Sequence, residues 1–192
     1  MSRETKLKIF NATLLVYIGA YVALTFGGFG DKDVATYNSI GLLDYKTMGY
    51  SVEEARLALS NVGTEGFELA KKFYIGDFVY IACGCALKIM ITLFFRTVAR
   101  KKKERGDKFN MSSVNGLLLL SYLLTAIKLL ADGAENVISL VAMKNSSVIS
   151  DSTLRFMSNC TQAKLVSFLL WIPVCILLAT ILLSKMKKSK AG

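Results

Sequence analysis

Residues 121–139 read SYLLTAIKLLADGAENVIS, an apolar run with Lys128, Asp132, Glu135 and Asn136 inside it. At about 100° per residue these four share one helical stripe with Ser121, Thr125 and Ser139. Such a segment is apolar enough for a bilayer, yet it cannot show its stripe to lipid. A charge at mid-membrane costs about 2.5–3.5 kcal/mol on insertion scales. The stripe must face other helices or a wet cavity. The pattern predicts a multi-span membrane protein with a buried polar centre.

The rest of the chain agrees. Of its 192 residues 53% are hydrophobic, gathered into blocks at about 7–28, 73–95, 114–142 and 163–184. Each approaches or exceeds the roughly 20 residues that cross about 30 Å of hydrocarbon. We therefore expect an all-α, four-transmembrane-helix bundle forming a single membrane domain over 1–192. The first block follows Arg3, Lys6 and Lys8. It is long and lacks an A-x-A-like site, so it reads as a retained span. Within it Gly19 and Ala23 form a small-xxx-small step suited to close helix approach. Residues 29–72 are polar and acid-rich, with Ser51 and Glu54 spaced as a capping box. Val52, Ala55, Leu59, Val62, Leu69 and Phe73 continue at 3-4 spacing, predicting an amphipathic helix in the first outer loop, broken near Gly63 and Gly66. A polar loop is expected over 144–162. Pro173, which removes a hydrogen bond to the Leu169 carbonyl, is expected to kink the fourth span.

The net charge of +10 is concentrated at the N-terminus, at 96–108 and at the C-terminus. That is the positive-inside footprint rather than a nucleic-acid patch. It predicts both termini and the 96–108 loop on the cytoplasmic side, with 29–72 and 144–162 outside. Arg100, Lys101, Lys102 and Lys103 are candidates for anionic-lipid contact. Asn145 and Asn159 open glycosylation sequons in the expected outer loop. Lys188 and Lys190 match a dilysine retrieval signal, which favours the endoplasmic reticulum over the plasma membrane. The bilayer and a membrane-protein assembly are the expected partners, and nucleic acid is not.

The chain has no histidine, which removes the commonest general base and most zinc sites. Cys83 and Cys85 lie two apart and point to roughly opposite sides of a helix. Cys160 is expected in a loop and Cys175 deep in the fourth block, so no thiol pair or disulfide framework is implied. No cofactor or metal is expected.

From a rise of 1.5 Å per residue, Asp77, Asp132, Glu135 and Lys164 are expected at similar heights. Lys128 sits near mid-membrane, four residues before Asp132, and can pair with it. Lys88 is expected to snorkel towards Arg96. One reading makes the cluster of Asp77, Lys128, Asp132, Glu135, Asn136 and Lys164 a network that fixes helix register. In the other the carboxylates line a cavity, either to couple a cation or proton in a small transporter or channel, or to act as paired acid and base on a lipid-like substrate. The structural reading carries slightly more weight because no second catalytic element is visible, so no residue is assigned a catalytic role.

At Asp77 and Asp132-Gly-Ala-Glu135-Asn136 the chain resembles an uncharacterised group of four-span membrane proteins. Their pattern is an extramembrane Tyr-x-x-Glu-Glu-Ala with a Gly-x-x-Gly step, an Asp early in span two, and Asp-x-x-Glu-Asn in span three. Here 50–55 reads YSVEEA and 63–66 reads GTEG. The likeness covers about 50–164 and implies architecture without an activity.

Overall fold

The computed structural model describes residues 3–28, 30–38, 41–60, 62–145 and 149–183. They form six α-helices: α1 Arg3–Phe26, α2 Asp31–Asn38, α3 Val52–Ser60, α4 Gly63–Glu104, α5 Met111–Lys144 and α6 Asp151–Leu183. A 3-10 turn at Leu43–Tyr45 separates α2 from α3. Four of the helices, α1, α4, α5 and α6, are long and apolar enough to cross a membrane. The chain is thus an integral membrane protein. With 42, 34 and 33 residues, α4, α5 and α6 span about 63, 51 and 50 Å. They extend well beyond the hydrocarbon that their apolar centres match.

Helices α4, α5 and α6 pack on one another, and α1 lies against α4. The contact of α1 includes a tyrosine pair. The Tyr17 ring stacks on Tyr80 at 4.5 Å, and the two hydroxyls share a hydrogen bond of 2.7 Å. The glycines that admit it belong to α4: Gly76 lies under Leu24 and Gly84 under Tyr17. The expected small-residue step on α1 has no such role, since a Cβ at Gly19 would meet nothing within 4 Å.

Three apolar clusters surround the middle of the bundle. Phe95, Ala99, Val114, Leu118, Val174, Leu178 and Leu182 are among the residues that pack α4, α5 and α6 at one end. At the other end Leu43, Ala55, Leu59, Ala142, Leu154 and Met157 join α3 to α5 and α6. Beside them Leu24, Val34, Leu42, Ala70, Phe73 and Tyr74 seat α1 and α2 on α4. The polar stripe of α5 lies between these ends and faces inward. Ser121, Thr125, Asp132, Glu135, Asn136 and Ser139 are all buried.

Helix α2 docks closely because Gly66 of α4 has no side chain. A Cβ there would lie 2.8 Å from Val62 Cγ1 and 2.9 Å from Tyr37 Cβ. Gly66→Ala is expected to cost about 1–3 kcal/mol through overpacking. Gly116→Ala, where a Cβ meets nothing within 4 Å, should be neutral or stabilising, since Ala is the better helix former. Thermal unfolding of the two variants in detergent checks the contrast.

Helix α3 starts at a reciprocal cap. Ser51 N–H donates to Glu54 Oε2 at 2.9 Å, and Glu54 N–H donates to Ser51 Oγ at 3.1 Å. The Ser51 amide, and then Lys46, hold the Glu54 carboxyl below its ordinary value of 4.5. A depressed carboxyl stabilises the fold above its unfolded value and loses that contribution as pH falls through the folded one. Amide exchange at Ser51 and Glu54 is therefore expected to quicken, relative to its intrinsic rate, as pH drops below about 4.5.

Several expectations are corrected. Residues 151–162 belong to α6, so the loop expected over 144–162 shrinks to a short connection. Cys160 consequently lies buried in a helix. Asn159 is on that same helix, and Thr161 of its sequon is fully buried, so this sequon is not a surface loop. Asn145 caps α5, while residues 146–148 lie outside the described residues. Most of the basic run is the last turns of α4 rather than a loop, with Arg105 as its C-cap. There Arg100, Lys101 and Lys103 are exposed, and Lys102 turns to Asp107 at 3.9 Å. The break between α3 and α4 falls just before Gly63, and Gly66 is inside α4. Lys188 and Lys190 lie outside the described residues.

Candidate functional site: a buried ion cluster

The cluster is built on α5. One turn separates Lys128 from Asp132, and a further three residues bring Glu135 to the same face. Lys128 Nζ forms an ion pair with Asp132 Oδ2 along the helix. From α6, Lys164 Nζ reaches both acids, 3.3 Å from Asp132 Oδ1 and 2.9 Å from Glu135 Oε2. Asp132 is thus shared by two amines, and Lys164 by two carboxylates. From α4, Asp77 Oδ2 accepts a hydrogen bond of 2.7 Å from Asn136 Nδ2. The six residues expected to form a centre thus make two sets of contacts, Lys128–Asp132–Lys164–Glu135 between α5 and α6 and Asp77–Asn136 between α4 and α5.

Glu135 is fully buried. Its Oε1 accepts a 2.5 Å hydrogen bond from Thr161 Oγ1 of α6 and a longer one, 3.4 Å, from Tyr50 Oη. Tyr50 arrives from the loop before α3, which must pass close to α6. Gly49 makes that possible. Its φ is +89°, and a Cβ there would sit 2.8 Å from both Ser158 Oγ and Gln162 Nε2. The loop is tied down on either side, by Tyr50 N–H donating to Ser158 Oγ at 2.9 Å and Gln162 Nε2 donating to the Met48 carbonyl at 3.2 Å. Burial, then the Glu135 charge, push the Tyr50 hydroxyl well above the usual tyrosine range. It therefore acts as a donor to the carboxylate and not as a second anion.

Tyr50, Thr161 and Ser158 were absent from the expected centre. Ser158, Thr161 and Lys164 follow one another at three-residue spacing, a helical face that is legible only once α6 is extended upstream of 163. A second polar contact lies towards the basic end. There Ser121 Oγ accepts from Trp171 Nε1 at 3.0 Å and shares a 2.7 Å hydrogen bond with Thr92 Oγ1. Lys88 does not snorkel towards Arg96. It is buried, with its Nζ over the rings of Phe168 and Trp171.

Chemically, the carboxylates at the core of this centre are occupied. Asp132 faces two ammonium groups, and Glu135 faces one ammonium and two hydroxyl donors. Opposite charges held this way in low dielectric compensate each other's desolvation and fix geometry. Two buried oxygens stand apart: Asn136 Oδ1 and Ser139 Oγ have no hydrogen-bond partner among the described residues.

Fold and site together define a class, the helical integral membrane protein whose membrane-length helices enclose an ion cluster. No protein family, no curated protein and no solved structure matches the chain.

Proposed function

We propose that this chain is a non-enzymatic, multi-pass accessory or scaffolding protein of a membrane assembly, in which the ion cluster holds the helices in register. The observation that carries the reading is Lys164, placed between Asp132 and Glu135 at 3.3 and 2.9 Å. A carboxylate already matched by an amine and hydroxyls has little left to offer a substrate or ion. Such a cluster specifies which faces of α4, α5 and α6 meet, because any other pairing strands a charge in hydrocarbon. Basic residues at both ends of the sequence and around 100–108 support a cytoplasmic location for both termini and the α4–α5 connection. Arg100, Lys101 and Lys103 then face anionic head groups on that leaflet. The endoplasmic reticulum is the membrane we favour, on the Lys188 and Lys190 pattern. Asp77 and the Asp132-x-x-Glu135-Asn136 run, the core of the four-span group's pattern, meet in the Asp77–Asn136 hydrogen bond. The resemblance to that group rests on sequence positions alone.

A second reading, a cation- or proton-coupled carrier, has one observation in its favour: buried Asn136 Oδ1 and Ser139 Oγ have no hydrogen-bond partner among the described residues. A water molecule or a small cation would satisfy both. Reconstitution separates the readings. The scaffold reading expects purified protein in liposomes to leave proton, sodium and potassium gradients intact, and Asp132→Asn to lower thermal stability. Flux abolished by Asp132→Asn in a protein of unchanged stability would overturn it.

A further inference from the structure

Lys88 of α4 has no place in the ion cluster. The residue is 8% exposed, and its Nζ is buried with no hydrogen-bond acceptor among the described residues. Two α6 rings flank the nitrogen, with centroids 5.1 Å away at Phe168 and 5.2 Å away at Trp171. The rings attract a cation but accept no conventional hydrogen bond. The polar groups around it are engaged elsewhere. Thr92 Oγ1 is bonded to Lys88's own carbonyl and to Ser121, and Trp171 Nε1 donates to Ser121. Cys85, Cys175, Lys128 and Asp132 are the titratable groups whose charge reaches Lys88. Of these only Asp132 is a carboxylate, and it is held by Lys128 and Lys164. A buried amine with neither acceptor nor counter-ion calls for a missing partner.

We propose that Lys88 is the anchor of a lipid-acid site, its ammonium binding the carboxylate of a single-chain fatty acid drawn from the bilayer. The buried nitrogen is covered by Phe168, itself 42% exposed, so a carboxylate reaches it from the lipid side as that ring turns aside. The amine thus lies one ring behind the acyl chains. Depth selects the head group. Lys88 is seven residues, about 10 Å, inward of Phe95 at the end of the apolar stretch. A phospholipid's phosphate stays at the interface, whereas a fatty acid crosses hydrocarbon in its neutral form and can bring its carboxyl to that level. This site is separate from the scaffold reading of the ion cluster and does not depend on it.

Trp171 is the chain's single tryptophan, so its fluorescence reports on this position alone. Full-length protein in phosphatidylcholine nanodiscs is titrated with 9,10-dibromostearic acid and, separately, with its methyl ester. The acid is expected to quench Trp171 saturably, at about tenfold lower mole fraction than the ester, as a charge-assisted hydrogen bond would give. Lys88→Met should abolish the saturable component while leaving collisional quenching by the ester. Equal quenching by acid and ester in the unmutated protein overturns the proposal without reference to any variant. So does relief of quenching by butyrate at the concentration where stearate relieves it, because the site would then take a soluble carboxylate.

Discussion

Lys164→Met is expected to destabilise the protein by about 3–5 kcal/mol, the cost of leaving buried carboxylates without their cation. The side chain is of similar length, so the loss is of charge and not of volume. Both Asp132 and Glu135 are paired with this amine, and Glu135 is fully buried. Lys128 can still neutralise Asp132. The strain therefore falls on Glu135, which loses its lysine while keeping the hydroxyl donors of Thr161 and Tyr50. Thermal unfolding in detergent checks the magnitude. A second substitution, Glu135→Gln, should recover part of the loss, because it removes the stranded charge while retaining an acceptor for Thr161.

The second large effect concerns α4. Asp77→Ala is expected to cost about 1.5–3 kcal/mol, the range for a hydrogen bond to a charged group. Asn136 loses the acceptor of its Nδ2, and its Oδ1 already lacks a partner among the described residues. The damage should be local to the α4–α5 seam. Crosslinking of introduced cysteines between α4 and α5 should loosen, while the α5–α6 pair, held through Lys164, keeps its efficiency. Asp77→Asn, which retains a side-chain oxygen, should be milder.

The stripe on α5 was legible because charge in a long apolar run has one physical solution, and every member of it except Lys128 is buried. Four membrane-length helices followed from block length for the same reason. What escaped were features that hydropathy does not encode. Residues 151–162 are polar, yet they are helical because α6 rises past the apolar stretch to meet α3, with Leu154 and Met157 in that contact and Arg56 paired to Asp151. That hid Thr161 and left Cys160 and Asn159 in a supposed loop. Helix α2 is only eight residues long and polar, and tertiary contacts hold it. Asn38 at its end donates to the carbonyls of Gly41 and Ala58 at 2.9 and 2.8 Å. Lys88 departs from expectation because snorkelling is the usual recourse of a lone lysine towards the end of an apolar span, and two rings on a distant segment are invisible in sequence. Gly19 differs from expectation for a like reason, since helix approach depends on the partner's surface: α4 supplies the glycines.

That the polar centre is closed, its charges answering one another across α5 and α6, is tested most directly by a double-mutant cycle. Unfolding free energies of the unmutated protein, Lys164→Met, Glu135→Gln and the double variant give the coupling between the two side chains. The account predicts that the double variant is less destabilised than the sum of the singles by about 1.5 kcal/mol or more, within the range found for residues in one network. Additivity to within about 0.5 kcal/mol, the behaviour of independent sites, would contradict it.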